Sequence, residues 1–191
     1  KKLNGSPARV LSDLFWINFP WDQLSINLDH KLRIIEIGCG SGKYGDLLSK
    51  ILGDKMFSYT GVDIVTSKHW LKFKDDSRFS FHVSNATDIE KHLDGNNLII
   101  TQSAIEHFRY DITFFEQIKK YIEVSKSPIY NIHLMPAALC IFTYFWHGYR
   151  TYNYNSVSKI SSIFSINDEK ILTPLGGQNC KKLHQKYITK P

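Results

Sequence analysis

The sequence predicts an α/β protein built on a doubly wound, mostly parallel sheet. Three observations carry that prediction. Short apolar runs alternate with segments of helical spacing from about residue 31 to about residue 165. A glycine-rich turn at residues 38–42 joins the first apolar run to a helical segment. An acid, Asp63, closes the second run, where such folds bind polar ligands.

Residues 1–30 form a helical preface. Residues 6–16 have the spacing of a short helix, Phe19-Pro20-Trp21 makes a turn, and residues 21–28 read as a second helix. The first strand is the stretch of Ile34, Ile35 and Ile37, apolar in the way of a strand buried on both faces. Glu36 stands just before its end. Gly38, Gly40 and Gly42 alternate through the turn, and residues 44–52 continue as a helix. Strand, glycine turn and helix together let a ligand touch bare backbone at a helix N-terminus, and a side chain at Gly38 or Gly40 is expected to fill the ligand's space.

Residues 57–64 predict the second strand and residues 78–83 the third. Ser84-Asn85-Ala86-Thr87-Asp88 follows, with Asp88 placed to cap a helix over 89–91. Residues 97–102 predict the fourth strand, ahead of Ser103-Ala104-Ile105-Glu106-His107. Residues 111–124 read as a helix with Phe114, Phe115, Ile118, Tyr121 and Ile122 on one face, and 128–134 as the fifth strand. Residues 135–146 predict a densely aromatic helix with Pro136 near its start. A further helix is expected over 157–164 and a strand over 171–177. Residues 186–189 offer only a weak candidate for a closing antiparallel strand.

Three ligands compete for the glycine turn. A P-loop needs Gly-x-x-x-x-Gly-Lys-Ser/Thr. Here Ile37 stands at the first glycine and Tyr44 at the hydroxyl, so that pattern fails twice. A dinucleotide turn needs Gly-x-Gly-x-x-Gly with an acid about 20 residues on, and Gly40, Gly42, Gly45 and Asp63 satisfy it. The third pattern is an acid, an apolar residue, then Gly-x-Gly-x-Gly. Glu36, Gly38, Gly40 and Gly42 match it in full. In this the chain resembles the class I S-adenosylmethionine (SAM) dependent methyltransferases, whose Rossmann-like fold ends in an antiparallel strand. Charge favours this third pattern over NAD. A pyrophosphate wants neutral donors along the turn, whereas a sulfonium and an ammonium welcome a carboxylate at the strand end.

The resemblance implies a set of cofactor contacts. Glu36, Gly38, Cys39, Gly40 and Gly42 would lie along the methionine part. Asp63 would accept from the ribose hydroxyls, with Ile64 beside it. Asn85, Ala86 and Asp88 would pass the adenine edge, Asn85 standing where the family commonly has an acid. Gln102 and Ser103 would complete the set after the fourth strand. Cys39 reads as a small filler of the turn, not a nucleophile. The matching motifs span roughly residues 34–108 and say little about the acceptor.

Methyl transfer to a hydroxyl needs alignment and a base. His107, His133 and His147 are the candidates, the first two because they follow strands at the C-terminal edge of the sheet, where ligands bind. Arg150 suits a phosphate or carboxylate of the acceptor, and the region of Tyr144 and Tyr152 suits stacking on a sugar ring or an apolar acceptor. This part loosely resembles methyltransferases of bacterial surface-glycan pathways. Ser103 replaces an acid that metal-binding relatives carry, so no metal is expected at Glu106 and His107. There is no Asn/Asp-Pro-Pro-Tyr run for amino groups of bases and no Pro-Cys nucleophile pair.

The predicted activity is therefore methylation of a small-molecule or glycan-type acceptor, most simply on oxygen. An RNA or protein methyltransferase is the alternative, as is a nucleotide-binding domain without methyl transfer. The 191 residues suit one SAM-binding domain over 31–191, with an acceptor-side helical insertion about 136–164. The net charge of +6 comes from scattered Lys and Arg, with no basic stripe interleaved with aromatics, so nucleic acid is not the expected partner. The longest apolar run, 137–146, is far short of the roughly 20 residues a membrane span needs. Three widely spaced cysteines fit reduced thiols in the cytoplasm.

Overall fold

Two helices precede the first strand, Pro7–Asn18 (α1) and Trp21–Asn27 (α2). Leu32–Ile37 (β1) runs through the glycine turn into Lys43–Leu52 (α3). Met56–Asp63 (β2) and Phe79–Val83 (β3) follow, then the short Glu90–Leu93 (α4) and Leu98–Gln102 (β4). Asp111–Val124 (α5) crosses to Tyr130–Leu134 (β5). Tyr154–Ser161 (α6) and Gln178–His184 (α7) follow. This computed structural model describes residues 7–29, 31–137, 148–184 and 186.

The sheet has the order β3-β2-β1-β4-β5, and every pairing is parallel. Strands leave β1 in opposite directions, so the order reverses between β1 and β4. Such a switch point opens a crevice at the carboxyl ends of the strands.

Alternation along the strands separates two apolar layers. Leu32 and Ile34 face one side with Tyr59, Leu98 and Ile100, under Trp16, Trp21, Leu24 and Leu48. Ile35 and Ile37 face the other with Val62 and Ile99, under Ile89, Phe114, Phe115 and Ile118. The predicted preface is thus part of the core. Trp16 is fully buried and stacks on Trp21, whose Nε1 donates to the Trp16 carbonyl at 2.8 Å.

All five predicted strands form within two residues of the expected bounds, and α5 has the expected bounds. Residues 171–177 form no strand. Pro174 removes a ladder donor, no strand among the described residues lies alongside, and Ile171 is 80% exposed. A helix, α7, begins directly after them instead. The helix predicted over 157–164 starts earlier, because Asn153 caps it by accepting from the Ser156 N–H at 2.9 Å. Residues 138–146 of the predicted aromatic helix lie outside the described residues; Met135–Ala137 are not helical. The candidate closing strand also lies outside them, apart from Lys186. Among the described residues, no helix is long and apolar enough to cross a membrane.

Candidate cofactor site

The last turn of β1 places Glu36 on the same sheet face as Tyr59, one strand away. Glu36 is 1% exposed and accepts a hydrogen bond from the Tyr59 hydroxyl. Burial pushes its carboxyl up to about 8; the Tyr59 bond pulls the other way, and the Asp63 charge adds to the rise. Burial thus favours the protonated carboxyl, and an arriving cation would favour the carboxylate.

The turn after Glu36 folds back on β2. The N–H groups of Gly38 and Cys39 both donate to the Val62 carbonyl, at 2.8 and 3.1 Å. A Cβ on Gly38 would meet Ala104 Cβ at 2.4 Å, so the space there belongs to the chain's own loop after β4 and not to a ligand, contrary to the sequence expectation. Gly40 is the opposite case. Its φ is +53°, and a Cβ would meet nothing within 4 Å. Backbone at Gly40 thus faces open space. Gly42 caps α3, with Phe73 and Phe81 close by.

Asp63 braces this turn from β2. Its Oδ2 accepts from the Gly40 N–H at 2.7 Å and its Oδ1 from the Val65 N–H at 3.2 Å. A carboxylate has further lone pairs for a ligand's hydroxyls. Ile64 is exposed beside it. Asn85 starts a short 3-10 turn, Ala86–Asp88, by accepting from the Thr87 N–H at 3.1 Å. That makes Asn85, not Asp88, the cap: α4 has no side-chain cap, and Asp88 is exposed. Ala86 is buried.

Gln102 ends β4 and is anchored by α1. Its carbonyl accepts from Trp16 Nε1 at 2.8 Å, and its amide donates to Ser12 Oγ and Ser103 Oγ, both at 3.1 Å. Ser103 is exposed with φ +50°. A cavity of about 200 Å³ lies here, lined by Glu36, Gly38, Cys39, Gly40 and Gln102 among the predicted residues. Cys39 is buried, and its thiol is pushed well up by burial and then by the neighbouring acids, which suits a filler and not a nucleophile. A shallower groove of about 460 Å³ beside α4 and α5 carries none of the predicted site residues.

Sequence reading missed two parts of this site. Arg9, from α1, lines the cavity, as do Lys43 and Tyr44. Trp70 donates from Nε1 to the Gly40 carbonyl at 2.9 Å and stacks on Phe81. Neither Arg9 nor Trp70 sits in a recognisable pattern. Glu106 carried a signal, the acid directly before His107 in an otherwise apolar turn. It is 1% exposed, its Oε2 has no hydrogen-bond partner among the described residues, and burial pushes its carboxyl up to about 7.

The candidate bases separate. His107 is exposed in the turn after β4. His133 lies on the opposite sheet face from Glu36, with Nδ1 3.0 Å from Thr101 Oγ1 and its ring edge-on to Phe114 and Phe115. Burial lowers it to about 3, so it stays neutral within the layer under α5. The expected placement at the ligand edge is corrected: β5 alternation turns this side chain inward. His147 and Tyr144 lie outside the described residues. Arg150 and Tyr152 both bind Asp111 at the start of α5. Arg150 also donates to the Arg109 carbonyl at 2.9 Å, and the Tyr152 hydroxyl reaches Asp111 Oδ2 at 3.0 Å. They tie a strap, residues 148–152, across the turn after β4. The Tyr149 N–H adds a 2.7 Å bond to the Glu106 carbonyl.

No known family profile matches the chain, and no curated protein matches it. Solved structures do. The methyltransferase domain of bacterial CtHen1-CN is 19% identical with a TM-score of 0.58, over 79% of this chain and 86% of that one. The CMeT domain of the citrinin polyketide synthase is 19% identical with a TM-score of 0.54, over 81% of this chain and 49% of that one. The chain has the class I methyltransferase fold. A methyltransferase-like protein of Bacillus halodurans, described as putative, aligns at 9% identity and a TM-score of 0.52, over 74% and 66%. The chain spans less than half the length of several structures it resembles, 33% and 42% for two of them. Open α/β sheets bind ligands at such a switch point, and Glu36, next to the end of β1, and Gln102, at the end of β4, stand on its two sides.

Proposed function

We propose that the chain binds SAM at the glycine turn and transfers its methyl group to an oxygen of a small-molecule or glycan-type acceptor, in the cytoplasm. The supporting observation is the buried Glu36 carboxyl, held by the Tyr59 hydroxyl, beside a cavity whose wall at Gly40 is bare backbone. A cationic ligand gains from ionising that carboxyl, whereas an anionic pyrophosphate gains no such charge pairing from it. The residues fit SAM: Glu36 for the cationic end, Asp63 for the ribose hydroxyls, exposed Ile64, Asn85 and Asp88 for the adenine.

SAM supplies the activated methyl group. The chain's own residues bind, align and exclude water. The preface, through α1, forms one wall of the cofactor cavity. On the acceptor side we place His107, the strap 148–152 and the helical insertion about 136–164. His107 takes the proton of an acceptor hydroxyl, and Glu106 behind it holds a carboxyl poised near neutral pH. Incubation with methyl-labelled SAM and a panel of sugar nucleotides and small hydroxylated acceptors tests this. Label is expected in one acceptor class and to be lost in His107→Ala. Transfer to RNA or protein alone would overturn the acceptor assignment.

A further inference from the structure

We propose that Arg109, in the turn after β4, holds a phosphate or carboxylate of the acceptor, so that the acceptor is an anionic sugar and not a neutral one. This rests on the methyl-transfer reading and names the substrate class of its acceptor side. The turn after β4 packs directly on the glycine turn. A Cβ on Gly38, which lines the cofactor cavity, would meet Ala104 Cβ at 2.4 Å and the Phe108 ring at 3.8 Å. Arg109 follows Phe108 and is exposed, so a cation stands beside the cavity at the carboxyl edge of the sheet.

The arginine expected from the sequence to take an acceptor's anion, Arg150, is engaged by the buried Asp111 carboxyl. Its second bond, to the Arg109 carbonyl at 2.9 Å, fastens the strap 148–152 to the turn that carries Arg109. The Tyr149 N–H donates to the Glu106 carbonyl at 2.7 Å. Gly148, at φ +79°, lies so close that a Cβ would meet the Glu106 carbonyl oxygen at 2.7 Å. Turn and strap are thus one fixed platform. It leaves two tyrosines in solvent, Tyr110 at 57% exposure and Tyr149 at 65%. The Arg109 guanidinium lies 5.6 Å from the centre of the Tyr110 ring and has no carboxylate at ion-pair distance among the described residues. An open tyrosine ring covers the C–H face of a sugar and keeps its hydroxyl for a polar contact. A planar guanidinium meets a phosphate or carboxylate with two parallel hydrogen bonds. A sugar that carries such an anion answers both features; a neutral one leaves the charge without a counterpart.

Methyl transfer from labelled SAM to hexoses tests this, each offered as the neutral sugar, the 1-phosphate, the UDP conjugate and the uronic acid, with the wild type, Arg109→Gln and Arg109→Lys. An anionic form is expected to be methylated with kcat/KM at least about 10-fold above its neutral parent, and the leading form tells phosphate from carboxylate. Arg109→Gln is expected to raise KM for that form roughly 10- to 100-fold, the loss of one or two charge-assisted hydrogen bonds, with a smaller change in kcat. Arg109→Lys is expected to recover part of the loss, and SAM affinity is expected to be the same in all three proteins. Equal use of neutral and anionic forms, transfer to none of them, or an unchanged KM in Arg109→Gln overturns the role of Arg109 and leaves the cofactor reading standing. Loss of SAM binding in Arg109→Gln also overturns it, since the residue would then act through the fold. A wild-type protein that binds no SAM overturns the proposed function itself, and this inference with it.

Discussion

Glu36 shows what burial does to a single acid. In the unfolded chain its carboxyl ionises at its ordinary value of 4.5; in the fold it holds its proton up to about 8. The folded state thus binds the extra proton between these values. The contribution is fully present below pH 4.5 and is lost as pH rises through about 8. We predict that the ligand-free protein loses stability between pH 5 and pH 8.5 and that Glu36→Gln, a neutral mimic, flattens that slope. Denaturant titrations at the two pH values measure it. A Glu36→Gln protein with an unchanged slope would mean that other groups dominate. Binding of a cation has the opposite consequence for the same group, since it favours the ionised form and releases the proton.

At the scale of elements, the strap 148–152 owes its place to Asp111. That carboxyl is buried at the start of α5 and receives both the Arg150 guanidinium and the Tyr152 hydroxyl. Arg150→Ala leaves the carboxyl buried without its counter-charge, which we expect to cost about 2 kcal/mol, less than a fully buried pair because the arginine is partly exposed. Chemical denaturation of the variant measures this; a loss below about 0.5 kcal/mol would make the pair a surface ornament. The strands, β1 to β5, were legible because each is an apolar run bounded by turn residues, and α5 because its apolar face repeats at 3.6 residues. Residues 171–177 misled because strand-forming side chains make a strand only where a neighbour offers a ladder. His133 misled because its position in the sequence tells the strand end but not the face. The strap was not legible as such, since Arg150 and Tyr152 find Asp111 about 40 residues away, a pairing that no local pattern encodes.

For the whole molecule, the topological switch between β1 and β4 brings together what the chain separates. Glu36, Gly40 and Gln102 share a cavity with Arg9 of α1, and Asp63 braces its edge. Of the residues expected at the cofactor, Glu36, Gly38, Cys39, Gly40 and Gln102 line one cavity, because the glycine turn and the strand ends meet at the switch point. The contribution of α1 was not legible, because it depends on how the preface packs on the sheet through Trp16. The central claim is that this crevice takes SAM. Calorimetric titration of the wild-type protein with SAM and with NAD tests it most directly. The account predicts binding of SAM in the micromolar range, about −8 kcal/mol, with protons released to the buffer at pH 7 and little binding of NAD. Tight NAD binding with no SAM binding would contradict it.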